Sequence, residues 1–171
     1  MLVVGVMASA QIPGLAYVVV VDDQVVDAKA FGDRRLHGEP VTTETAFEIG
    51  STTKAFTATM VAMLVEEGTL AWDDRVVDHL PEFCMRDEWV TREMRVADLL
   101  CQRSGMPPYA LDSMSLLGFT RQDIIRALRF VALVSSFRST FGYQNNLWLV
   151  AAALIEAKTG LSWEDNLDRR I

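Results

Sequence analysis

The chain has 171 residues, half of them hydrophobic and 23% charged, which suits one domain with a real core and not a disordered segment. Its net charge of −7 and pI of about 4.8, with no basic run, argue against nucleic-acid binding. Cys84 and Cys101 lack CxxC spacing and the only histidines are His37 and His79, so no metal site is expected, no cofactor is implied, and the thiols are read as free.

Met1 to Val21 carries no charged residue, so hydropathy alone allows a membrane segment. Ala8-Ser9-Ala10 also resembles a signal cleavage site. Gln11, Pro13 and Gly14 interrupt the run, however, and no basic residue precedes Lys29, so neither an anchor nor a signal is expected. Leu15 to Val21 and Val25 to Phe31 are apolar and β-branched around Asp22-Asp23-Gln24, which predicts a β-hairpin. Residues 33 to 46 are polar and read as a loop. Phe47 to Gly50 leads into a helix from about Thr52 to Glu67, with Phe56, Met60, Met63 and Leu64 at helical spacing and Gly68 as the stop. Residues 72 to 95 read as irregular. Val96 to Gln102 is a short helix, and Arg121 to Leu133 is another, opened by Thr120. A loop over Phe137 to Asn145 precedes an apolar helix, Leu147 to Lys158, closed by Gly160. Ser162 caps a last helix. A two-stranded hairpin is not stable alone, and no further strands are evident, so the hairpin is expected to lack partner strands and to present a sticky edge.

Gly50-Ser51-Thr52-Thr53-Lys54 opens the first long helix. Residues three apart share a helix face, so Ser51 Oγ and Lys54 Nζ can meet. A serine hydroxyl is a weak nucleophile until a base takes its proton, and a lysine serves as that base only when its surroundings favour the free amine. The helix N-terminus and the Ser51 N–H would face developing negative charge, and Gly50 would let a substrate approach. The bare Ser-x-x-Lys pattern arises by chance in roughly half of chains of this length. Its alternative is a capping Ser51 with a solvated Lys54. The apolar surroundings, Phe47, Ile49 and Ala55 to Ala58, point this face into a core. Tyr143-Gln144-Asn145 is a second candidate. A phenol can relay protons, and an amide can hold Lys54 and a carbonyl together. Its alternative is a core Tyr143 and a capping Asn145.

Ser51-x-x-Lys54 followed by Tyr143-x-Asn145 resembles the serine β-lactamase/DD-peptidase superfamily, and within it class C β-lactamases and related esterases, D-aminopeptidases and penicillin-binding-protein-like hydrolases. Residues 12 to 16 with the following valines resemble its first hairpin, and Ala46 to Ala58 its nucleophile segment. Asp98 to Pro107 resembles its "LLTHTSGLP" segment, altered at Cys101, Gln102 and Arg103. Phe137 to Asn145 resembles its tyrosine loop. The likeness runs from about residue 12 to residue 171.

The resemblance implies an α+β, β-lactamase/transpeptidase-like fold: an antiparallel sheet plus a helical subdomain, with the C-terminal strands missing. Residues 1–171 would form a partial β-lactamase-like domain, 1–50 supplying the hairpin and the approach to the nucleophile and 51–171 a mostly helical part. It implies acylation at Ser51, proton transfer shared by Lys54 and Tyr143, and substrate contact and Lys54 orientation by Asn145. Ser104-Gly105 would support the helical side of the cleft. The substrate would be a small-molecule or peptide-like ester, amide or β-lactam. Oligomeric state is left open, and so is compartment: export is the family habit, without a convincing signal here.

The family's third motif, Lys-Thr-Gly or a His-x-Gly variant, lies far downstream of the tyrosine loop. Lys158-Thr159-Gly160 has those letters at a helix end and is expected to be a decoy. The true third motif and the usual N-terminal helix before Ile12 are expected to be missing or replaced, so the chain reads as a fragment. The oxyanion hole would then lack its second N–H, at a cost of about 10²–10³ in rate. Two further readings follow: a non-catalytic remnant that binds acyl or peptidoglycan-like ligands, and a membrane-anchored interaction protein held by residues 1 to 21.

Overall fold

A computed structural model describes residues 2–171. Backbone contacts divide the chain into two compact units, Met1–Ile49 and Gly50–Ile171.

The first unit opens with a helix, α1 (Leu2–Ser9), where the usual helix was expected to be missing or replaced. The charge-free run supplies no sequence cap to announce it. Its eight residues rise only about 12 Å, and no helix among the described residues is long and apolar enough to cross a membrane. Strands β1 (Gly14–Val21) and β2 (Gln24–Gly32) then form the predicted hairpin, paired antiparallel from Gly14↔Gly32 to Val21↔Gln24. Asp22 and Asp23 both take positive φ, 49° and 60°, the left-handed pair that matches the twist of a tight hairpin. Val19 pairs with Asp27 and Val20 with Val25, so Val26 is the extra residue of a bulge. Tyr17 donates to Asp27 across the pair at 2.6 Å, and Lys29 reaches the same carboxylate at 3.0 Å. Val18 to Val21, Val25 and Val26 are all exposed, so this sheet is apolar at its turn end. Beyond β2 the expected loop holds one isolated bridge, Asp33↔Pro40.

The second unit is helical. A 3₁₀ turn, Gly50–Thr52, runs into α2 (Thr53–Glu66). Its buried residues, Thr57, Met60, Val61 and Leu64, recur at i, i+3, i+4 and i+7, the stripe an amphipathic helix turns inward. The helix α8 (Asn146–Thr159) repeats the pattern with Leu147, Val150, Ala151, Leu154 and Ile155, and lies at the centre of the core. Around it pack α2, α3 (Val76–His79), α5 (Val96–Leu100), α7 (Arg121–Ala127) and α9 (Trp163–Arg170). The Thr57 hydroxyl, buried in that core, accepts from Trp163 Nε1 at 3.1 Å, so its polarity is satisfied inside the packing.

Three stretches depart from the sequence expectation. Residues 72 to 95 are not irregular: they contain α3 and α4 (Glu88–Glu93), joined by the bridge Arg75↔Arg95. Helices of four and six residues are too short to show a period, although Asp87, which accepts from the N–H groups of Trp89 and Val90, was a readable cap. A one-turn helix, α6 (Ser113–Leu116), precedes α7. The helix expected over 121–133 stops at Ala127 and tightens into a 3₁₀ turn, Leu128–Phe130. The following strand of chain leaves to bond Gly105 instead, whose carbonyl accepts from Val134 at 2.8 Å and Ser135 at 3.3 Å. Gly105 sits at φ +86°, and a Cβ there would lie 2.5 Å from Ser135 O, so only glycine fits this close approach.

Candidate active site

Ser51 stands on the 3₁₀ turn that opens α2, one turn before Lys54. Gly50 enters that turn at φ +52° with open space where a Cβ would be, so its demand is for backbone conformation and not for room. The Lys54 amine donates to Ser51 Oγ at 3.1 Å and to Asn145 Oδ1 at 2.6 Å. Ser51 Oγ and Tyr143 Oη are 2.6 Å apart, across 92 residues of chain. The four sequence-predicted site residues therefore meet in one hydrogen-bonded group. Neither capping alternative describes them: α2 has Thr52 at its N-cap, and Asn145, at the N-cap of α8, makes no side-chain capping bond.

The Lys54 amine lies 4.9 Å from the centre of the Tyr143 ring and 5.9 Å from that of Trp148, positions from which a cation is attracted by the ring faces. The adjoining Lys54 side chain, and next the hydrogen bond with Ser51, hold the Tyr143 phenol below the usual range, against the opposing effects of burial and of the Asp112 charge. Tyr17 is shifted the other way, because its hydroxyl donates to the Asp27 carboxylate, a bond that ionisation would destroy. Of these two tyrosines, Tyr143 is thus expected to form its phenolate at the lower pH. An ultraviolet tyrosinate titration of the parent and of Tyr143→Phe checks this: the substitution should delete a step that lies below the Tyr17 step and leave the Tyr17 step in place.

The tyrosine loop is fastened by the segment that departs from the family pattern. Gln102 takes φ +59°; its carbonyl accepts from Gly142 at 2.8 Å, and its side-chain oxygen accepts from the Gln144 N–H at 2.6 Å. Arg103 O accepts from the Arg138 N–H at 2.8 Å, while the Arg103 guanidinium bonds Arg138 O. Arg138 in turn grips both oxygens of Asp98, at 2.9 and 2.6 Å. Gln102 and Arg103 thus hold the tyrosine loop through backbone and side chain together.

Beside Ser51 opens a cavity of about 380 Å³ lined by Lys54, Asn145, Trp148, Leu149, Ala152 and Trp163, and also by the ion-paired Arg121 and Glu164. The lining combines aromatic and aliphatic side chains with charged and amide ones, the mixed character of a small-molecule site. Sequence reasoning missed Trp148 and Trp163, whose helical spacing reads as ordinary core, and Asp112, which accepts from Asn145 Nδ2 at 2.6 Å. Lys158-Thr159-Gly160 ends α8 as foreseen. Gly160 is the left-handed cap bonding Glu156 O, Thr159 Oγ1 takes a hydrogen bond from Asn166 at 2.8 Å, and the charge of Lys158 acts on Asp74.

The chain belongs to the β-lactamase family, whose family model matches residues 2–171. An unguisins hydrolase from Aspergillus campestris is 34% identical to it over 87% of this chain and 29% of its own length. Penicillin-binding protein 4 of Amycolatopsis lactamdurans is 32% identical over 94% of this chain and 42% of its own. Among solved structures, the octameric penicillin-binding protein homologue from Pyrococcus abyssi superposes with a TM-score of 0.85 at 30% identity, covering 99% of this chain and 40% of that one. D-amino acid amidase from Ochrobactrum anthropi follows at 0.78 and 25% identity, over 96% and 45%. The β-lactamase/transpeptidase-like fold inferred from the motifs is the fold these neighbours share. The chain spans less than half the length of each of these relatives.

Proposed function

We propose that the protein is a class C β-lactamase-like serine hydrolase that acts through an acyl-enzyme on the carbonyl of an ester, amide or β-lactam, with Ser51 as nucleophile. The observation that carries this reading is the placement of Ser51 Oγ between Tyr143 Oη at 2.6 Å and Lys54 Nζ at 3.1 Å. As the Ser51 Oγ–carbon bond forms, the Oγ proton passes to the Tyr143–Lys54 pair and the carbonyl becomes an oxyanion. Collapse of that tetrahedral species breaks the bond to the leaving nitrogen or oxygen, which takes the proton back from the pair. Water then attacks the acyl carbon and gives its proton to the same pair, and Ser51 leaves with a proton restored. Asn145 holds Lys54 through its amide oxygen and faces the cavity where the substrate would lie. The likeness to an unguisins hydrolase and to a D-amino acid amidase favours small or peptide-like amides within this range.

The test is intact-mass analysis after exposure to a fluorophosphonate and, separately, to a labelled penicillin, with Ser51→Ala in parallel. A one-to-one adduct in the parent and none in the variant is expected. A folded parent that acquires no adduct from either reagent would instead favour a remnant that binds acyl ligands without turnover.

A further inference from the structure

The Asn145 amide has two unlike ends, and the site uses both. Its oxygen accepts from the Lys54 amine at 2.6 Å, and its nitrogen donates to Asp112 Oδ2 at 2.6 Å. Turned over, the amide would set N–H donors against the Lys54 donors and its oxygen against a carboxylate, two repulsions in place of two bonds. The carboxylate on one side therefore adds its preference to that of the Lys54 donors in fixing which end the lysine meets. Nothing in Asn145 itself could do so: it stands at the N-cap of α8 without a capping bond.

The loop that carries Asp112 is built to hold that position. Each residue from Tyr143 to Asn146 is bonded to the stretch 107–112. Tyr143 O accepts from the Tyr109 N–H at 2.8 Å, and the Gln144 side chain donates to Pro107 O. Asn145 Nδ2 donates to Asp112, and Asn146 Nδ2 donates to Ala110 O at 2.5 Å. Three of these four fastenings use backbone on the 107–112 side; only Asp112 offers a charged side chain. Its other oxygen, Oδ1, is buried with no hydrogen-bond partner among the described residues. Stability alone does not favour a carboxylate left half-satisfied, since an unpaired buried acceptor is a cost. The charge makes sense as the anchor of the amide that orients Lys54.

We propose that Asp112 is a positioning residue for acylation of Ser51, taking the Asn145 amide nitrogen so that the amide oxygen is locked onto Lys54. The proposal rests on the reading of Ser51 as nucleophile. Asp112 touches neither Ser51 nor the reacting carbonyl in this scheme; apart from the opposing charge it sets on the Tyr143 phenol, it acts through its hydrogen bond to Asn145.

Two measurements separate the proposal from that reading. The first follows fluorophosphonate labelling of Ser51 in Asp112→Ala, Asn145→Ala and the double variant. Asp112→Ala should slow labelling by about 10–100-fold, the scale of a misplaced reacting group. It should have little further effect once Asn145 is gone, because a residue acting through another couples to it completely. Asp112→Asn, which keeps an acceptor oxygen, should recover part of the loss. The second needs no reactivity: in nitrogen-edited NMR spectra the Asn145 side-chain amide protons should be shifted and protected from exchange in the parent and in Ser51→Ala, and lose both features in Asp112→Ala. Equal slowing by Asp112→Ala with and without Asn145 would overturn the proposal, as would an Asn145 amide indifferent to Asp112. A parent that never labels would remove the nucleophile reading while the NMR comparison still decides whether Asp112 fixes the amide.

Discussion

Lys54→Ala is expected to slow acylation of Ser51 by about 10²–10⁴-fold, the range of a lost proton-transfer partner, while the helical unit stays folded. Lys54 donates to Ser51 Oγ and to Asn145 Oδ1, so its removal strips the Ser51 hydroxyl of its neighbour and leaves the amide oxygen without its cation. It also removes the largest cause of the lowered Tyr143 phenol, so the Tyr143 step should move to higher pH. Lys54→Arg separates the two roles. A guanidinium keeps a positive charge beside Tyr143 but does not give up its proton near neutrality, so Tyr143 should stay lowered while labelling remains slow. The measurement is the rate of adduct growth by intact mass, with tyrosinate absorbance alongside. Labelling of Lys54→Ala at the parent rate would place the proton elsewhere and sink this account of the site.

Leu154→Ala should destabilise the helical unit by roughly 2–5 kcal/mol, the cost of emptying a leucine-sized volume in a core that cannot fully close. Leu154 is fully buried in α8, the helix against which α2, α3, α5, α7 and α9 pack. Against a total of about 5–15 kcal/mol for a domain, such a loss threatens the fold. The site would go with it, because Asn145 leads directly into α8 and Lys54 belongs to α2, which packs on it. Phe130→Ala is the control: that ring is 74% exposed, so its removal should change stability by about 0.5 kcal/mol or less. Denaturant midpoints of the two variants decide the matter. Equal, small shifts would mean that α8 is not the core element its packing indicates.

The legible parts of this protein were those whose signal is local and repeated. The hairpin shows as two β-branched runs around Asp22-Asp23, and α2 and α8 show as apolar stripes with glycines at their ends. Those elements form where the residues indicate, within one or two positions. What was not legible was short or dependent on a distant partner. α3, α4 and α6 are single turns or little more, below one clear period. α7 ends at Ala127 and passes into a 3₁₀ turn before residues 134 and 135 bond Gly105, and no residue near 128 announces that. The N-terminal helix has no signal of its own, because eight uncharged residues without a cap look the same as the start of a signal or a strand.

The site divides along the same line. Ser51-x-x-Lys54 and Tyr143-x-Asn145 could be picked out by residue type and spacing, and family membership was readable from the motifs with their flanking segments. Sequence alone determines that Ser51 and Lys54 share a helix face, because that is fixed by three residues of rise and rotation. Tertiary structure alone decides that Tyr143, 92 positions away, comes within 2.6 Å of Ser51, that the Asn145 amide turns its oxygen to Lys54, and that Asp112 stands behind it. Those arrangements depend on two loops bonded to each other residue by residue, and the energies that join them arise between groups that no local pattern brings together.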